Sequence, residues 1–297
     1  MTSLSTMLPF VARFDRATVL AQNLFVSLDR QKRQVPGEAE EGAGLRATFV
    51  YQQLKRSVSF NGPHRLGVSD LRVLQGLLAM ATAAGVGRRE PNSAVTKIVE
   101  GSWQELVRAC GVKSKASVAT GKRGPSSGGR SGYVQESVGR LSGIEVTCSD
   151  RPGEVEQLVN VDLTCDTKHG FRIGLSTELL EALGAGKNGK QYLKVNMDEV
   201  RQLQLDAARL LHFRLSNVNE GTSREYTQEE MESMIWGTDV ARTESIQKYR
   251  RRLFKQSIAA LRALDGWGIE SVQSSKGTWA WKVSRPKSRF AAARRMV

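Results

Sequence analysis

The stretch "SIQKYRRRLFKQSIAAL", residues 245–261, has the spacing of one continuous helix. On a helix, residues three, four and seven positions apart share one face. Four positive side chains follow this spacing and form what we call the basic ridge: Lys248, Arg251, Arg252 and Lys255. No Asp or Glu interleaves with the basic ridge, so its charges are expected to repel one another until an anion binds.

The opposite side of the same helix is apolar and is predicted to pack into a core. Its members are Ile246, Tyr249, Leu253, Leu261 and Leu264. Arg250 falls near this apolar side, and we expect it to reach outward along its aliphatic stem or to contact another group. A solvated helix face normally alternates in charge sign, whereas the basic ridge does not. The ridge therefore favours an anionic partner over a plain solvated surface.

The composition of the whole chain also favours a polyanionic partner. The 297 residues carry a formal net charge of +14, and a hydrophobic content of 40% is ample for buried cores, which excludes a disordered chain. Nucleic acid is favoured over a membrane, because the sequence has neither a long apolar run nor an amphipathic helix with bulky apolar anchors beside its lysines. The N-terminal sequence lacks the pattern of a signal peptide, so we expect a cytoplasmic protein.

The elements predicted around the basic ridge have the order of a winged-helix domain. "QYLKVNMDEV" predicts a strand entering a helix, "DAARLLHFRLSNV" a core helix, and "TQEEMESMIWG" a short helix with Thr227 and Glu230 at capping-box spacing and Gly237 as its stop. After the basic helix, "GWGIESVQ" and "GTWAWKVS" alternate like two strands of a β-hairpin, the wing. This order is the winged variant of the helix-turn-helix.

The first half of the chain predicts the same order. Helices are expected in "GVSDLRVLQGLLAMATAAG", in "SWQELVRAC" and near "YVQESVGRL", followed by a hairpin from "GIEVTCS" into "EQLVNVDLTC". We therefore predict an α+β, mainly helical fold with two tandem winged-helix (helix-turn-helix) domains. The predicted divisions are an N-terminal helix (17–30) and linker over residues 1–47, the first winged-helix domain over 48–185, the second over 190–285, and a basic flexible tail over 286–297.

The basic helix is the predicted DNA-contacting element. In a helix-turn-helix the second helix of the motif lies in the major groove, which here assigns DNA contact to residues 243 to about 264. Near its start, Thr243, Ser245 and Gln247 can hydrogen-bond base edges or phosphates. The basic ridge can neutralise phosphates, and its arginines can bind guanine bidentately.

Other basic and aromatic residues are further candidates for DNA contact. The wing offers Lys276, Trp279 and Lys282, which can follow the sugar-phosphate backbone or enter the minor groove. A glycine-rich loop of the first half is crowded with Lys113, Lys115, Lys122, Arg123 and Arg130. This loop can become ordered on DNA, and a plain surface loop is the alternative.

The sequence predicts no catalytic, metal or cofactor site. "GAGKNGKQ", residues 184–191, fits GxxxxGK, but Gln191 stands where a phosphate loop needs Ser or Thr, and the segment follows a predicted helix instead of a strand. None of the three histidines, His64, His169 and His212, has catalytic neighbours in the sequence. The three cysteines, Cys110, Cys148 and Cys165, form no CxxC pair. We expect a protein that is not an enzyme.

Several segments together resemble one family. "FNGPHRLGVSDLRVLQGLLAMA" and "VNMDEVRQLQLDAARLLHFRL", followed by a short helix ending at Trp236, a basic helix and "LRALDGWGIE", resemble the RepC replication initiators of IncQ-type plasmids. The resemblance runs from about Asn23 to Val283, and the "SKASVATGKRGPSSGGR" loop departs from it. It implies a protein that binds directly repeated iterons at a plasmid origin, helps to melt an adjacent A·T-rich region, and recruits the plasmid's helicase and primase.

Two other functions stay open from the sequence. A transcriptional repressor uses the same winged fold, but repressors usually bind palindromes as dimers, whereas an initiator prefers direct repeats. An enzyme that acts on DNA, such as a nickase or a primase, is the alternative of a different class. A homodimer is compatible with the sequence, and no membrane partner is expected.

Overall fold

The computed structural model describes residues 11–27, 44–52, 55–87, 97–111, 129–161, 170–184, 192–238, 243–273 and 279–287. The chain has a mixed α/β fold that divides into two compact units. The first unit comprises residues 1–25 and 35–201, and the second comprises residues 26–34 and 202–297.

The first unit contains six helices and three small sheets within the described residues. The helices are α1 (Arg16–Leu20), α2 (Val68–Ala84), α3 (Trp103–Ala109), α4 (Gly129–Ser142), α5 (Thr177–Gly184) and α6 (Met197–Gln202), the last ending at the division. The strands are β1 (Val11–Asp15), β2 (Leu45–Tyr51), β3 (Arg56–Gly62), β4 (Ile98–Gly101), β5 (Glu145–Cys148), β6 (Val155–Gln157), β7 (Val159–Val161), β8 (Phe171–Leu175) and β9 (Tyr192–Asn196). All pairings between these strands are antiparallel, and the sheet orders are β2-β3-β5-β6, β4-β8-β7 and β1-β9.

The second unit is a helical core flanked by one antiparallel sheet. Its described elements are α7 (Asp206–Leu215), β10 (Ser223–Tyr226), α8 (Gln228–Trp236), α9 (Glu244–Arg262), β11 (Gly268–Gln273) and β12 (Trp279–Ser284), and the sheet order is β10-β12-β11. Side chains from all three helices and all three strands meet in one core, among them Leu211, Met231, Phe254, Ile258 and Val283.

The two units repeat one order of elements. In the second unit a helix, a strand, two helices and two strands follow one another, and the last strand lies between the other two. The series α2, β4, α3, α4, β7 and β8 of the first unit has the same order, and β8 again lies between β4 and β7. By this correspondence α4 occupies the place of α9.

An inserted hairpin distinguishes the first unit from the second. The hairpin predicted around residues 150–153 is confirmed as β5 and β6, but it joins the sheet of β2 and β3. The single strand predicted in "EQLVNVDLTC" is wrong, because the chain changes sheets at the buried Leu158. The N–H of Leu158 donates to Ile144 O and its carbonyl accepts from Ser176 N, so this residue joins the two sheets.

The helix predicted over residues 17–30 is much shorter than expected. The observed helix α1 ends at Leu20 and begins directly after β1, where the Asp15 carboxylate accepts a hydrogen bond from Thr18 N at 2.8 Å and caps the helix. All five residues of β1 pair with β9, from Val11 opposite Asn196 to Asp15 opposite Tyr192. This pairing holds the strand that leads into α1, and the Asp15 cap fixes where the helix begins.

Sequence signals predicted the ends of α8 correctly. Thr227 accepts a hydrogen bond from Glu230 N at 3.1 Å, the Glu230 carboxylate accepts one from Thr227 N at 2.7 Å, and Gly237 follows the last residue with a φ of 62°. None of the helices in the part of the chain that the structure describes has the length and apolar content that a bilayer crossing requires.

Candidate nucleic-acid interface

The helix predicted from the basic stretch is confirmed as α9, and it presents the basic ridge to solvent. Thr243 is the N-cap of α9 and accepts a hydrogen bond from Ile246 N at 3.3 Å, which fixes where the helix begins. Lys248, Arg251, Arg252 and Lys255 are all exposed. Ser245 and Gln247 are also exposed near the start of the helix, so the predicted contact residues of α9 share an accessible surface.

The core side of α9 differs from the predicted one. The buried residues are Arg250, Phe254, Ser257, Ile258 and Leu261. The core side of the helix is therefore rotated toward Phe254 relative to the predicted one. Leu261 and Leu264 are buried as predicted, and Ile246 and Leu253 are half-buried. Tyr249 is 41% exposed, and its predicted place in the core is therefore wrong.

Arg250 contacts an aromatic ring, which confirms one of the two alternatives predicted for this residue. It is 8% exposed, and its Cζ lies 5.3 Å from the centroid of the Trp236 ring on α8. A guanidinium over an indole face is stabilised by the ring's electron density. Arg250 therefore joins α8 to α9 and is a structural residue, not part of the accessible basic surface.

One acid lies beside the basic ridge, so the expectation of no neighbouring acid is wrong at the N-terminal end. Lys248 Nζ lies 2.9 Å from Glu244 Oε1, and the two side chains are 72% and 80% exposed. An ion pair this exposed stabilises a helix by only about 0–1 kcal/mol. Among the residues that the structure describes, neither Arg251 nor Lys255 forms an ion pair, and most of the ridge keeps its charge available.

Arg252 is held by an aromatic ring. Its Cζ lies 5.6 Å from the centroid of the Tyr249 ring, one turn earlier on the same helix. Sequence reasoning missed this contact because Tyr249 was assigned to the core. Spacing alone could have found it, since residues three positions apart on a helix are neighbours.

In the hairpin that follows α9, the residues predicted to contact DNA differ in their exposure and in their charged neighbours. Lys282 is exposed on β12, directly opposite Glu225 of β10 on one side and Glu270 of β11 on the other. Residues directly opposite in a sheet have Cβ atoms about 5 Å apart, so two acidic residues lie beside Lys282. This neighbourhood disfavours Lys282 as a phosphate contact.

The tryptophans of β12 have different surroundings. Trp279 is 72% exposed, whereas Trp281 packs against Phe254 of α9 with ring centroids 5.8 Å apart. Arg262 lies over Trp281 and donates through Nε to Ile269 O at 2.5 Å, which ties the end of α9 to β11. Lys276 lies outside the described residues.

The helix of the first unit that corresponds to α9 has a different surface. The exposed residues of α4 include Gln135, Glu136 and Gly139. Its described arginine, Arg140, is paired with the buried Asp70 at 2.8 Å. The structure describes neither the side chain of Arg130, which lies in α4, nor the loop residues Lys113, Lys115, Lys122 and Arg123.

A buried ion cluster in the first unit was not predicted. Glu178 is 2% exposed and binds both Arg56 and Arg151, the latter at 2.5 Å. The Cys148 thiol donates to the same carboxylate at 3.2 Å, and burial followed by this hydrogen bond raises the pKa of Cys148. Nearby, burial raises the pKa of Asp15 to about 6, against the opposing effect of its hydrogen bonds from Thr18.

Other expectations concern possible catalytic or metal sites. His212 is fully buried and its ring packs on Trp267 with centroids 5.3 Å apart, and Cys110 and Cys148 are buried free thiols. A helix, α5, precedes the GxxxxGK segment and β9 follows it, as predicted, although residues 185–191 lie outside the described residues. Within the described ranges, no group of three or more His, Cys, Asp and Glu residues is arranged to hold a metal ion.

An exposed, mostly unpaired cationic helix face on a compact helical core is an arrangement typical of nucleic-acid-binding proteins. A family model described as Replication protein C (RepC) matches residues 9–287. The chain therefore belongs to the RepC family of replication proteins. This agrees with the family resemblance of its sequence segments.

The other comparisons are more distant. A solved structure titled "Crystal structure of Pi initiator protein in complex with iteron DNA" is similar to this chain at 9% sequence identity, with a TM-score of 0.48. The similarity covers 74% of this chain and 92% of that one. A search of the curated proteins finds no match.

Proposed function

We propose that this protein is a sequence-specific, double-stranded DNA-binding initiator of plasmid replication that binds directly repeated iterons at the origin. The observation that carries this proposal is the exposed basic ridge of α9, in which Arg251 and Lys255 have no ion-pair partner among the described residues. Duplex DNA supplies one phosphate charge for about every 1.7 Å of helix axis, which is the counter-charge that this ridge lacks. Membership of a replication protein family supports a replication origin as the place of binding.

The proposal includes two tandem winged-helix domains, predicted over 48–185 and 190–285; the corresponding compact units divide between residues 201 and 202. Its support is the element order and sheet order that the two compact units share, with α4 and α9 in corresponding places. Each domain would contact a successive stretch of one iteron, so that one chain can bind one repeat without an obligatory symmetric dimer. A homodimer is compatible with this arrangement and is not needed for it.

The proposed activity is binding, not catalysis. Bound to its repeats, the protein would promote melting of an adjacent A·T-rich region and recruit the plasmid's helicase and primase, as the family resemblance implies. Because plasmid origins lie in the cytoplasm, the proposal is for a cytoplasmic protein.

Footprinting on the repeat-containing region of the plasmid tests this function. We expect the full-length protein to protect directly repeated sites at regular spacing. Protection of a single palindrome instead would contradict the initiator and favour a repressor. A parallel incubation with origin DNA, magnesium and nucleotides should leave the strands uncut and unprimed; cleaved or primed strands would contradict a purely binding role.

A further inference from the structure

Tyr249 is the aromatic residue of α9 whose position lacks a packing explanation. It is 41% exposed, and it is absent from the described core of the second unit and from the half-buried side chains packed against that core. Scattered exposed aromatic residues are ordinary on protein surfaces. What sets Tyr249 apart is that its ring carries the guanidinium of Arg252, at 5.6 Å, within the basic ridge.

The four cations of the basic ridge therefore have three different environments. Lys248 is paired with Glu244, and the guanidinium of Arg252 lies over the ring of Tyr249. Arg251 and Lys255 have neither kind of contact among the described residues. Because all four are exposed on one helix face, these contacts, and not burial, distinguish them.

A guanidinium positioned over an aromatic ring is suited to reading a base. The interaction with the ring does not use the N–H groups of the guanidinium edge, which remain available for two parallel hydrogen bonds. Bidentate binding of guanine O6 and N7 in the major groove uses this edge. Holding the side chain in place before binding also lowers the entropy lost on forming the contact. A side chain without such support is suited to a phosphate, where a charge suffices and geometry matters less.

We propose that Tyr249 positions Arg252 to read a guanine, while Arg251 and Lys255 contact phosphates. This inference deepens the proposed function and rests on it. It names Arg252 as a specificity-determining residue of the second unit and Tyr249 as its positioning residue.

The test compares conservative variants of the full-length protein on two duplexes. One carries a single repeat from the footprint and the other a scrambled sequence of the same length and composition, with affinities measured by fluorescence anisotropy at one salt concentration. Arg252→Lys keeps the charge but cannot bind guanine bidentately, so we expect the preference for the repeat to fall roughly five- to hundredfold. Arg251→Lys is the matched control and is expected to change both affinities by the same factor.

The positioning role of Tyr249 needs its own pair of variants. Tyr249→Leu removes the ring and is expected to lower the preference for the repeat, whereas Tyr249→Phe keeps the ring and the preference. Since Tyr249 and Arg252 are both exposed, we expect both variants to unfold thermally like the unmodified protein, as followed by circular dichroism. A ring with a merely structural role would alter unfolding and leave the preference intact.

Modified DNA can identify the contact itself. Replacing each guanine of the repeat in turn by 7-deazaguanine removes the N7 acceptor. One position should weaken binding of the unmodified protein and have no effect on Arg252→Lys. An equal loss of the preference for the repeat in Arg252→Lys and Arg251→Lys would overturn this inference alone. An unchanged preference in Tyr249→Leu would do the same. An unmodified protein that does not distinguish the repeat from the scrambled duplex would overturn the proposed function as well.

Discussion

Two arginines of the basic ridge and two arginines of the buried ion cluster in the first unit are held in opposite ways. Arg251 and Arg252 are exposed, and no carboxylate among the described residues pairs with them. Arg56 and Arg151 both bind the buried Glu178. An arginine paired with a buried carboxylate has a structural role, because removing either partner leaves a buried charge without that compensation. An exposed arginine without a carboxylate keeps its donors for a binding partner.

The corresponding helices α4 and α9 show the same difference. Arg140 of α4 binds Asp70, whose other carboxylate oxygen accepts from Gly67 N at the start of α2. The four cations of the basic ridge are exposed, and their described side-chain contacts, Lys248 with Glu244 and Arg252 with Tyr249, are with residues of α9 itself. We infer that the two units contribute unequally, with α9 supplying most of the electrostatic attraction to DNA among the described residues.

The largest expected effect is on stability, from Glu178→Gln. Removing this carboxylate leaves Arg56 and Arg151 without their shared buried partner, which should lower the free energy of unfolding by about 3–5 kcal/mol. Urea denaturation followed by circular dichroism measures the change. Glu100→Gln is the matched control, since its ion pair with Arg172 is exposed and should be worth less than about 1 kcal/mol. Equal losses in the two variants would contradict a stabilising role for the buried ion cluster.

The next effect concerns pH and the same buried region. Burial raises the pKa of Asp15 to about 6 from 3.8, so the folded state holds this proton more tightly than the unfolded state. Stability should therefore fall as pH rises from about 4 to about 6, by about 1–3 kcal/mol. Asp15→Asn should remove this part of the pH dependence. Unfolding free energies of both proteins across this range measure it, and parallel profiles would contradict the assignment.

The third effect is on DNA binding, and it is smaller in free energy than the two effects on stability. Replacing Arg251 and Arg252 together by Ala should weaken binding to the repeat at least about tenfold, which is about 1.4 kcal/mol, with a nearly unchanged thermal melt. Lys282→Gln is the comparison, expected to change affinity less than about twofold because Glu225 and Glu270 flank Lys282. Anisotropy titrations measure both, and equal effects would remove the distinction between ridge and hairpin.

The smallest effect is expected from Glu244→Gln. This change frees Lys248 and removes a negative charge beside the ridge, so DNA affinity should rise by less than about 1 kcal/mol. The same titration measures it. A loss of affinity would mean that the Glu244–Lys248 pair itself positions the ridge.

Local sequence signals predicted α8 and α9 well, because their capping residues and periodicity act within a few positions of the chain. The rotation of α9 was harder to predict: Phe254 and Ile258 were not assigned to the core, and Tyr249 was. A helix period defines an apolar side only approximately, and the contacts of α9 with α7, α8, β11 and β12 decide which boundary residues are buried.

Features that depend on distant pairing were beyond sequence reasoning. The pairing of β1 with β9 and the change of sheet at Leu158 join segments whose partners no local pattern identifies. The carboxylates beside Lys282 follow from strand register, which the sequence does not reveal before the sheet order is known. The family, in contrast, was predictable from the resemblance of whole segments, because those segments extend over much of the chain.

The salt dependence of DNA binding tests most directly whether the basic ridge is matched to phosphates. For the unmodified protein, the logarithm of the affinity should fall linearly with the logarithm of salt concentration, by roughly 0.9 for each phosphate contacted. In the Arg251→Ala, Arg252→Ala double variant the slope should be smaller by roughly 0.9, because Arg251 contacts a phosphate and Arg252 a base. A flat dependence for the unmodified protein, or an identical slope in the double variant, would contradict the account.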